Sequence, residues 1–409
     1  MSDVPELLRE AHRRAIEAVD GRLATRRWLT RNVPEGDWHV VALGKAAPAM
    51  MRGAIECMDA RIRGGLLVTR EGYGDPDLAA DPRLRCLESA HPVPDDRSLA
   101  AGEALVEYLE ALPGEARILF LVSGGTSSLV ERLPGDGDAD ALAELNRRLL
   151  ADGLDIGRMN RIRRAVSTIK GGRLARHLGG REALVLLISD VQGDSPAVIG
   201  SGLLFAPEDG PSSPEDVPTA YRTLCPPAAA GPAPGDLVFE RREWAIVASN
   251  SIALEAAAQH LRESGRDPLI ESRFLAGEAT EEGRRIGADL RDGQRGVCLW
   301  GGEPVVTLPA HPGRGGRMQA LALAAAGPLD GARDRWLLAA GTDGADGPGD
   351  SAGAIIDGDT LERGRRRGLD DRDALARADA GSYLDAVDAL FRTGPTGTNV
   401  MDIVIGLAD

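Results

Sequence analysis

Lysine, aromatic residues and cysteine are all scarce in this sequence of 409 residues. Only two of its 48 basic residues are lysines, and aromatic side chains make up 3% of the chain. The hydrophobic fraction of 43% is therefore mostly aliphatic, which is sufficient for a sizeable core. At this length two domains are expected, because single cores usually stop growing at about 250–300 residues.

The cysteines, the net charge and the hydropathy argue against several classes of protein. The four cysteines are widely spaced without a Cys-x-x-Cys pair, so we expect free thiols rather than disulfides or a zinc site. The net charge of −15 disfavours nucleic-acid binding, although a local field can still attract a small anion. No apolar run is long enough to span a membrane, and residues 2–23 predict an amphipathic helix without the apolar core of a signal peptide. We expect a cytoplasmic protein with no membrane or nucleic-acid partner.

Three common signatures are also absent. The sequence has no Gly-x-x-x-x-Gly-Lys-Ser/Thr loop, no Gly-x-Ser-x-Gly turn, and no Gly-x-Gly-x-x-Gly after a predicted strand. The first is the P-loop of many nucleotide-binding proteins. The other two belong to serine hydrolases and nicotinamide-dependent enzymes, and both of these classes are accordingly disfavoured.

A short aliphatic run followed by a Gly-rich or acidic turn and then a helical pattern recurs along the chain. It occurs at 38–50, 116–130, 182–196, 243–258, 295–308 and 334–353. Continuous apolar runs are typical of strands that are buried on both faces of a parallel sheet. The pattern predicts an α/β protein with a Rossmann-like, doubly wound parallel sheet and a second, smaller α/β domain. The turns after the strands would line a ligand crevice.

A composition break between Pro207 and Gly235 predicts a long loop or a linker between domains, because it is rich in Pro, Gly and Ser. We place an N-terminal domain at 1–235 and a C-terminal domain at 236–409.

Both lysines stand next to glycine, Lys45 in a loop after a predicted strand and Lys170 before two glycines. A chain that otherwise uses arginine is expected to keep lysine where a compact ammonium group is needed, for example against phosphate. Solvated surface lysines are the alternative. The stretch SGGTSSL after the strand ILFLV offers amide and hydroxyl donors at a predicted helix N-terminus, typical of a phosphate cradle. Its candidate ligand-binding residues are Ser123, Gly124, Gly125, Thr126, Ser127 and Ser128.

Two acidic turns follow strands. The turn at 339–353 carries Asp343, Asp346 and Asp350, which are candidate Mg²⁺ ligands because Mg²⁺ prefers hard oxygen donors. The turn at 188–196 carries Asp190 and Asp194, either of which could accept a proton from an attacking hydroxyl. Helix capping and Asx turns are the structural alternative for each of them.

Further polar residues stand in Gly-rich loops. A guanidinium from Arg314 or Arg317 would grip a carboxylate or phosphate in a bidentate manner. We interpret His91 and His311, each before a proline, as structural. The remaining candidate ligand-binding residues are Asn250, Glu303, Thr398 and Asn399.

In this order, the motifs resemble the class II glycerate 2-kinase family, also called the MOFRL family, some of whose members are named putative hydroxypyruvate reductases. The matching stretches include GKAAPAM, LVSGGTSSL, MNRIRRAVSTIKGGRLA, ISDVQGDSPAVIGSG, GRGGRMQALALA, GTDGADGPGDSAGA and TGPTGTNVMD. They extend from about residue 40 to residue 403, nearly the whole chain.

The resemblance implies a Rossmann-like N-terminal domain, a smaller C-terminal α/β domain and an active-site cleft between them. It implies transfer of phosphate from ATP, with Mg²⁺, to the 2-hydroxyl of D-glycerate. Lys45 would be the family's cleft lysine, and its arginine would be Arg314 or Arg317. We expect a monomer or homodimer that acts on a small hydroxy acid.

The sequence departs from the family pattern at Thr126, Leu203, Pro304 and Met318. Because these positions fall in loops expected to contact ligand, another sugar acid or hydroxy acid is an alternative acceptor, and Thr126 is expected to narrow the cradle. A hydroxypyruvate reductase is an alternative from a different class of enzyme, and a paralogue that binds ligand without catalysis is a further one.

Overall fold

The computed structural model describes residues 4–32, 34–135, 137–293 and 296–409. It divides into two compact units. Gly21–Val247 forms the parallel-sheet unit, and the described residues before Gly21 together with Ala248–Asp409 form the mixed-sheet unit. The Pro- and Gly-rich stretch at 207–235 therefore lies inside the parallel-sheet unit, and the chain passes to the other unit at Val247.

The parallel-sheet unit alternates strands with helices. Its strands are β1 (Trp38–Leu43), β2 (Ile62–Arg70), β3 (Leu84–Ser89), β4 (Arg117–Val122), β5 (Ala183–Ile188) and β6 (Arg242–Ala248). Its helices are α2 (Gly21–Arg31), α3 (Ala47–Met58), α4 (Pro76–Ala79), α5 (Asp96–Glu110), α6 (Thr126–Leu129), α7 (Ala139–Ala151), α8 (Ile156–Ala165) and α9 (Thr219–Arg222).

The strand order of this sheet is β3-β2-β1-β4-β5-β6. The pairs β2–β3, β1–β2, β1–β4 and β4–β5 are all parallel. The strand order reverses between β1 and β4, because the chain moves outward from β1 to β3 and then returns to add β4 beside β1. In doubly wound sheets this switch point opens a crevice at the carboxyl ends of the strands. The predicted Rossmann-like parallel sheet is confirmed.

The continuous apolar runs become fully covered strands. All six residues of β5 are buried, as are five of the six in β4, whose Phe120 lies in the core. Side chains from β1, β2, β4 and β5 pack in one cluster with α5. Helix α5 begins where Asp95 caps its first turn, with Ser98 completing a capping box.

The irregular stretch at 207–235 is packed rather than extended into solvent. Val217, Tyr221 and Cys225 are buried against the cluster formed by α7 and α8. The amide of Ala228 donates to the carbonyl of Ala165 at 2.8 Å. Its composition correctly indicated irregular backbone but carried no signal of this packing.

The mixed-sheet unit takes its first helix from the start of the chain. Its helices are α1 (Val4–Val19), α10 (Asn250–Glu263), α11 (Ala279–Asp292), α12 (Arg317–Leu329), α13 (Thr360–Arg366), α14 (Asp371–Ala376) and α15 (Ala380–Ala386). Its strands are β7 (Pro268–Ile270), β8 (Gly296–Gly302), β9 (Arg335–Gly341), β10 (Gly353–Asp357), β11 (Leu390–Phe391) and β12 (Asp402–Ala408). Within the described ranges, no helix is long and apolar enough to cross a membrane. All four cysteines are free thiols, as predicted.

The second sheet has the order β11-β10-β9-β12-β8-β7 and is mostly antiparallel. The expectation that β8 and β9 belong to a parallel sheet is wrong, since β12 lies between them and runs antiparallel to both. Their apolar runs reflect burial on both faces, which does not determine strand direction. Because β8 and β9 run the same way, the turns after both strands meet the start of β12 at one edge.

Helices α11 and α12 pack closely because α11 presents two glycines to its neighbour. A Cβ on Gly283 would lie 2.2 Å from the carbonyl oxygen of Leu321, and one on Gly287 would lie 2.5 Å from that of Ala325. Only hydrogen fits in this space. The contact holds α12, whose first turn carries Arg317, against the rest of the unit.

Replacing Gly283 by Ala is expected to lower the free energy of unfolding by about 1–3 kcal/mol, because two backbones must separate. Urea denaturation of the mutant and wild-type proteins measures this change. Gly114→Ala is the control, since a Cβ there meets nothing within 4 Å and its φ is not positive. Equal losses in the two variants would contradict the packing explanation.

Candidate active site

The turn that follows β1 and the turn that follows β4 are joined by hydrogen bonds at the switch point. The amide of Lys45 donates to the carbonyl of Gly124 at 2.9 Å, and the amide of Ser123 donates to the carbonyl of Leu43 at 2.9 Å. The hydroxyl oxygen of Ser123 accepts the amide of Ala46 at 3.0 Å. These bonds hold the lysine loop and the Ser-Gly-Gly turn as one rigid platform.

Close approach explains both glycines of the platform. A Cβ on Gly124 would lie 2.0 Å from Oδ2 of Asp190, so the carboxylate of Asp190 packs directly on this turn. Gly125 has a φ of +84°, and a Cβ there would lie 3.1 Å from Cγ of Lys45 and 3.1 Å from the ring of His91. The turn is therefore surrounded by the side chains of Lys45, His91 and Asp190.

His91 is held neutral at this position. Burial, together with the smaller effect of the positive charges of Lys45 and Arg70, lowers its pKa to about 4. At neutral pH the imidazole therefore adds no second positive charge beside Lys45. The sequence interpretation of His91 as structural left out this contact with the platform.

The hydroxyls of the cradle divide into two groups. Ser127 and Ser128 line an open cavity in the parallel-sheet unit. The Ser127 hydroxyl lies 2.7 Å from that of Ser201, and the Ser128 hydroxyl donates to the carbonyl of Gly125 at 3.1 Å. Thr126 is fully buried, and its hydroxyl donates to the carbonyl of Ser123 at 2.7 Å. The expectation that Thr126 narrows the cradle is therefore wrong, because its side chain packs inward.

The helix after the cradle is shorter than the sequence predicts. Helix α6 has only four residues and is preceded by Gly125 in a left-handed conformation. A helix of one turn has a small dipole, so the donors of the cradle are chiefly individual amides and hydroxyls.

The cavity beside the platform has a volume of about 430 Å³. It is bounded by the platform, by α7 and α8, and by the loop that contains His91. Among the predicted residues that line it are Gly125, Ser127, Ser128, Lys170 and Asp190. Cavities of roughly 300–1,000 Å³ commonly hold small-molecule ligands.

Lys170 makes an ion pair instead of standing free in this cavity. Its ammonium donates to Glu131, and the two residues are only 3% and 1% exposed. The other oxygen of Glu131 accepts the amide of Arg132 at 2.9 Å. The positive charge of Lys170 is therefore compensated by the protein itself. Lys45 makes no ion pair with any described carboxylate of its own unit.

In the mixed-sheet unit, Arg317 joins the turns at the edge formed by β8 and β12. Its guanidinium donates to Asp402 at 2.6 and 3.1 Å, and it lies 3.0 Å from Glu303. Burial raises the pKa of Asp402 to about 7, although Arg317 opposes this change. Sequence reasoning assigned roles to Glu303 and Arg317 separately and missed Asp402, which links them.

The three aspartates predicted to bind metal have different partners. Asp346 is buried and accepts the amides of Met318 and Gln319 at 3.0 and 2.7 Å, so it caps α12. Burial raises its pKa to about 6. Asp350 pairs with Arg392 at 3.1 Å, and Asp343 accepts the amide of Ala345 in an Asx turn.

These aspartates do not form a metal cage by themselves. Within residues 4–32, 34–135, 137–293 and 296–409, no three His, Cys, Asp or Glu side chains are grouped to hold a metal. Asp343 and Asp402 nevertheless lie close together, since a Cβ on Gly341 would be 3.3 Å from one carboxylate and 3.4 Å from the other.

The other predicted residues of this unit are engaged in its own structure. The amide of the Asn250 side chain donates to the carbonyls of Val400 and Asp402, both at 2.9 Å. The Thr398 hydroxyl donates to the carbonyl of Val19, and Asn399 accepts the amide of Met401. Arg314 pairs with Asp385 at 3.0 Å.

In the parallel-sheet unit, Asp194 lies in the turn after β5 with a φ of +53° and, unlike Asp190, does not line the cavity.

The departures from the family pattern lie mostly in cores. Leu203 and Met318 are buried in the apolar clusters of the two units, and Pro304 is also buried. Together with the buried Thr126, they do not form the ligand-facing group that their loop positions suggested. Loop position in a sequence does not determine whether a side chain turns inward.

The pKa of His91 tests the geometry of the platform. Lys45→Met is expected to raise this pKa from about 4 towards its usual value, because one nearby positive charge is removed while burial remains. Proton NMR titration measures it, with the His91 signal assigned through His91→Gln. The control Arg366→Met alters an exposed arginine that pairs with Glu362. An unchanged pKa in Lys45→Met would show that the ammonium does not act on the ring.

Glu131→Gln tests the role of Lys170. It is expected to cost about 3–5 kcal/mol of stability, because a buried ammonium group loses its counter-charge. Chemical denaturation measures the loss, and the double variant Glu131→Gln with Lys170→Met is expected to recover much of it. Wild-type stability in Glu131→Gln alone would argue that Lys170 is not held by this pair.

Comparisons with known proteins agree along the chain. The model described as "Domain of unknown function (DUF4147)" matches residues 7–230, and the MOFRL family model matches residues 296–402. A protein named putative hydroxypyruvate reductase from Agrobacterium vitis is 38% identical over 89% of this chain and 97% of its own length. The D-glycerate 2-kinase of Thermotoga maritima is 34% identical over 90% of both chains.

A solved structure extends the likeness to the fold. The crystal structure of glycerate kinase from Thermotoga maritima superposes with a TM-score of 0.90 over 100% of both chains, at 30% sequence identity. The order of motifs, the strand order and these relatives all lead to one assignment. The chain, with its MOFRL domain, belongs to the glycerate 2-kinase family of phosphotransferases.

Proposed function

We propose that this enzyme transfers the terminal phosphoryl group of ATP, with Mg²⁺, to the 2-hydroxyl of D-glycerate, giving 2-phosphoglycerate and ADP. The observation that carries the proposal is the platform at the switch point, where Lys45 and a Ser-Gly-Gly turn are bonded together beside a carboxylate. Relatives named glycerate 2-kinase support the choice of acceptor.

Phosphoryl transfer depends chiefly on positioning and on compensation of negative charge. Lys45 is suited to this task, because its side chain borders the turn at Gly125 and, among the described residues of its own unit, its ammonium is not paired with a carboxylate. The Ser127 hydroxyl, which lines the cavity, supplies a further donor for phosphate oxygens, and the Ser128 hydroxyl could do so by exchanging its bond to the carbonyl of Gly125.

Asp190 is our candidate for the general base. Its carboxylate packs on Gly124 and faces the cavity next to the cradle, so it can accept a proton from an attacking hydroxyl held there. Asp194, the other candidate, stands outside that cavity. This difference favours Asp190.

Mg²⁺ takes one or two carboxylates and completes its shell with water and phosphate oxygens. Asp343 suits this role as a ligand, because within the described residues of its unit its carboxylate accepts only the amide of Ala345 and neither pairs with an arginine nor caps a helix. Asp346 and Asp350 are committed to a helix cap and an ion pair. When bound, Mg²⁺ would compensate charge on the phosphates.

Arg314 is the better of the two arginines to bind the carboxylate of the acceptor through its guanidinium. Its partner Asp385 is 41% exposed, so this surface pair costs little to exchange for a substrate anion. Arg317 is bound in a bidentate manner to the buried Asp402, and breaking that pair would leave a buried charge.

The purified chain, incubated with ATP, Mg²⁺ and D-glycerate, is expected to form 2-phosphoglycerate. Coupling to enolase without a mutase identifies this isomer, because 3-phosphoglycerate is not dehydrated by enolase. Omitting Mg²⁺ should abolish turnover. ADP release with other hydroxy acids but not with glycerate would favour a different acceptor. NADH oxidation with hydroxypyruvate in the absence of ATP would indicate the reductase instead.

Lys45→Met is expected to lower kcat/KM by roughly 10²–10³-fold, the usual effect of removing one preorganised donor from developing negative charge. Steady-state kinetics with the enolase assay measures it, and Arg366→Met is the control for loss of one surface cation. Turnover near the wild-type rate in Lys45→Met would remove Lys45 from the mechanism.

A further inference from the structure

Arg317 at the start of α12 has two carboxylate partners that hold it in different ways. Its Nε and Nη2 donate to the two oxygens of Asp402 at 2.6 and 3.1 Å, and Asp402 is 1% exposed. Its Nη1 lies 3.0 Å from Oε1 of Glu303, whose side chain is 48% exposed. Of these two contacts, only the one with Asp402 has the geometry of hydrogen bonds. One edge of the guanidinium is therefore fixed, and the other faces a carboxylate that is half in solvent.

The backbone before Asp402 is locked by its surroundings. Met401 is buried and has a φ of +68°, a conformation that residues with a side chain rarely adopt. Strained residues persist where neighbouring contacts hold them. Here the carbonyl of Met401 accepts the amide of Thr342 at 3.0 Å and its hydroxyl at 2.6 Å. The fold itself thus places the carboxylate of Asp402 against Arg317.

Glu303, in contrast, can leave Arg317 without disturbing the fold. Its amide donates to the carbonyl of Leu275 at 2.8 Å, so the backbone stays in place when the side chain turns. Among the described residues of this unit, its carboxylate makes the ion pair with Arg317 and no other hydrogen bond or ion pair. An exposed ion pair costs little to exchange, whereas a buried one is costly to break. A ligand anion can therefore replace Glu303 while Asp402 keeps the guanidinium in position.

The charges around Arg317 determine what such an anion requires. Burial lowers the pKa of Arg317, but the hydrogen bond to Asp402 outweighs it and raises the pKa overall. The charges of Glu303 and Asp346 act in the same direction. Because three carboxylates act on one guanidinium, an anion needs one of them to withdraw and a further cation to be present. Departure of Glu303 meets the first condition, and the second is met if Asp343, which lies close to Asp402, is a ligand of Mg²⁺.

We propose that Glu303 is an internal competitor for phosphate. In the free enzyme it occupies Nη1 of Arg317, and it yields this position to a phosphate oxygen of the phosphorylated product, while Asp402 acts as a positioning residue. The inference rests on the proposed kinase function. A phosphate is favoured over a carboxylate because a metal ion held by Asp343 carries phosphate oxygens to this edge of the sheet, and because Arg314 is assigned to the carboxylate. The return of Glu303 to Arg317 displaces the phosphate, so the same contact assists release of the product.

Calorimetric titration with 2-phosphoglycerate in the presence of Mg²⁺, and separately with D-glycerate, tests the competition without turnover. Glu303→Gln is expected to tighten 2-phosphoglycerate by about two- to fivefold, the usual worth of an exposed ion pair, because the competitor is removed. Glu303→Asp keeps the charge but shortens the side chain, so it is expected to tighten the same ligand. D-Glycerate has no phosphate and is expected to bind both variants as it binds the wild type.

Glu281→Gln is the matched control for the lost charge. It removes an exposed carboxylate of α11 that forms no ion pair among the described residues, and it is expected to bind both ligands as the wild type does.

Asp402→Asn tests the positioning role, because an asparagine keeps the shape of the side chain but cannot accept from both edges of the guanidinium. It is expected to weaken 2-phosphoglycerate by about tenfold or more, the usual effect of losing a hydrogen bond between charged groups. The double variant with Glu303→Gln is expected to show no gain over Asp402→Asn, since the two residues act through one guanidinium. A gain that persists in the double variant would show that Asp402 does not position Arg317.

The outcomes separate the inference from the function beneath it. Wild-type or weaker affinity for 2-phosphoglycerate in both Glu303 variants would overturn the competition while leaving the kinase proposal intact. Tightening in Glu303→Gln but not in Glu303→Asp would reveal an effect of charge alone and overturn it as well. An equal gain for D-glycerate would overturn the choice of phosphate. A wild-type protein that neither forms nor binds 2-phosphoglycerate would overturn the proposed function and the inference together.

Discussion

The candidate site depends on the hydrogen bonds that join the turn after β1 to the turn after β4. Parallel strands bring their carboxyl ends to one edge, but they do not by themselves fix the loops that follow. Here the amide of Lys45, the carbonyl of Gly124 and the hydroxyl of Ser123 join the two loops directly. The lysine, the glycine turn and the carboxylate of Asp190 therefore keep one geometry without a ligand, which lowers the cost of ordering when a ligand binds.

The cations of this chain differ in whether a carboxylate compensates their charge. Most arginines of the chain are paired with carboxylates, and the buried Lys170 is compensated by Glu131. Among the described residues of the parallel-sheet unit, Lys45 and Arg163 form no ion pair, as is also true of the buried Arg173 and Arg242; Lys45 borders the glycine turn, and Arg163 lines the cavity beside it. A chain with a net charge of −15 can still bind a small anion where a local field opposes the global sign, and Lys45 at the glycine turn is the cation placed to supply such a field.

The mixed-sheet unit uses its polar residues differently. Asp346 and Asp402 are buried carboxylates that hold the first turn of α12, one through backbone amides and the other through Arg317. Sequence reasoning treated Asp346 as a metal ligand and Arg317 as an anion-binding residue because their residue types suit those roles, and it gave Asp402 no role. Their partners instead come from segments far apart in the chain, such as the start of β12. Pairings of that kind are invisible to local spacing.

The sequence by itself determined the family, the fold class and the identity of the loops that carry polar chemistry, because apolar runs punctuated by glycine are local and periodic. It also singled out Lys45 through the scarcity of lysine. Only the tertiary structure decided that Thr126, Leu203 and Met318 turn into the cores, that Lys170 is paired, that β12 separates β8 from β9, and that Arg163 faces a cavity. The reason is physical: burial, ion pairing and strand neighbours depend on residues brought together from distant positions, and a local pattern encodes none of them.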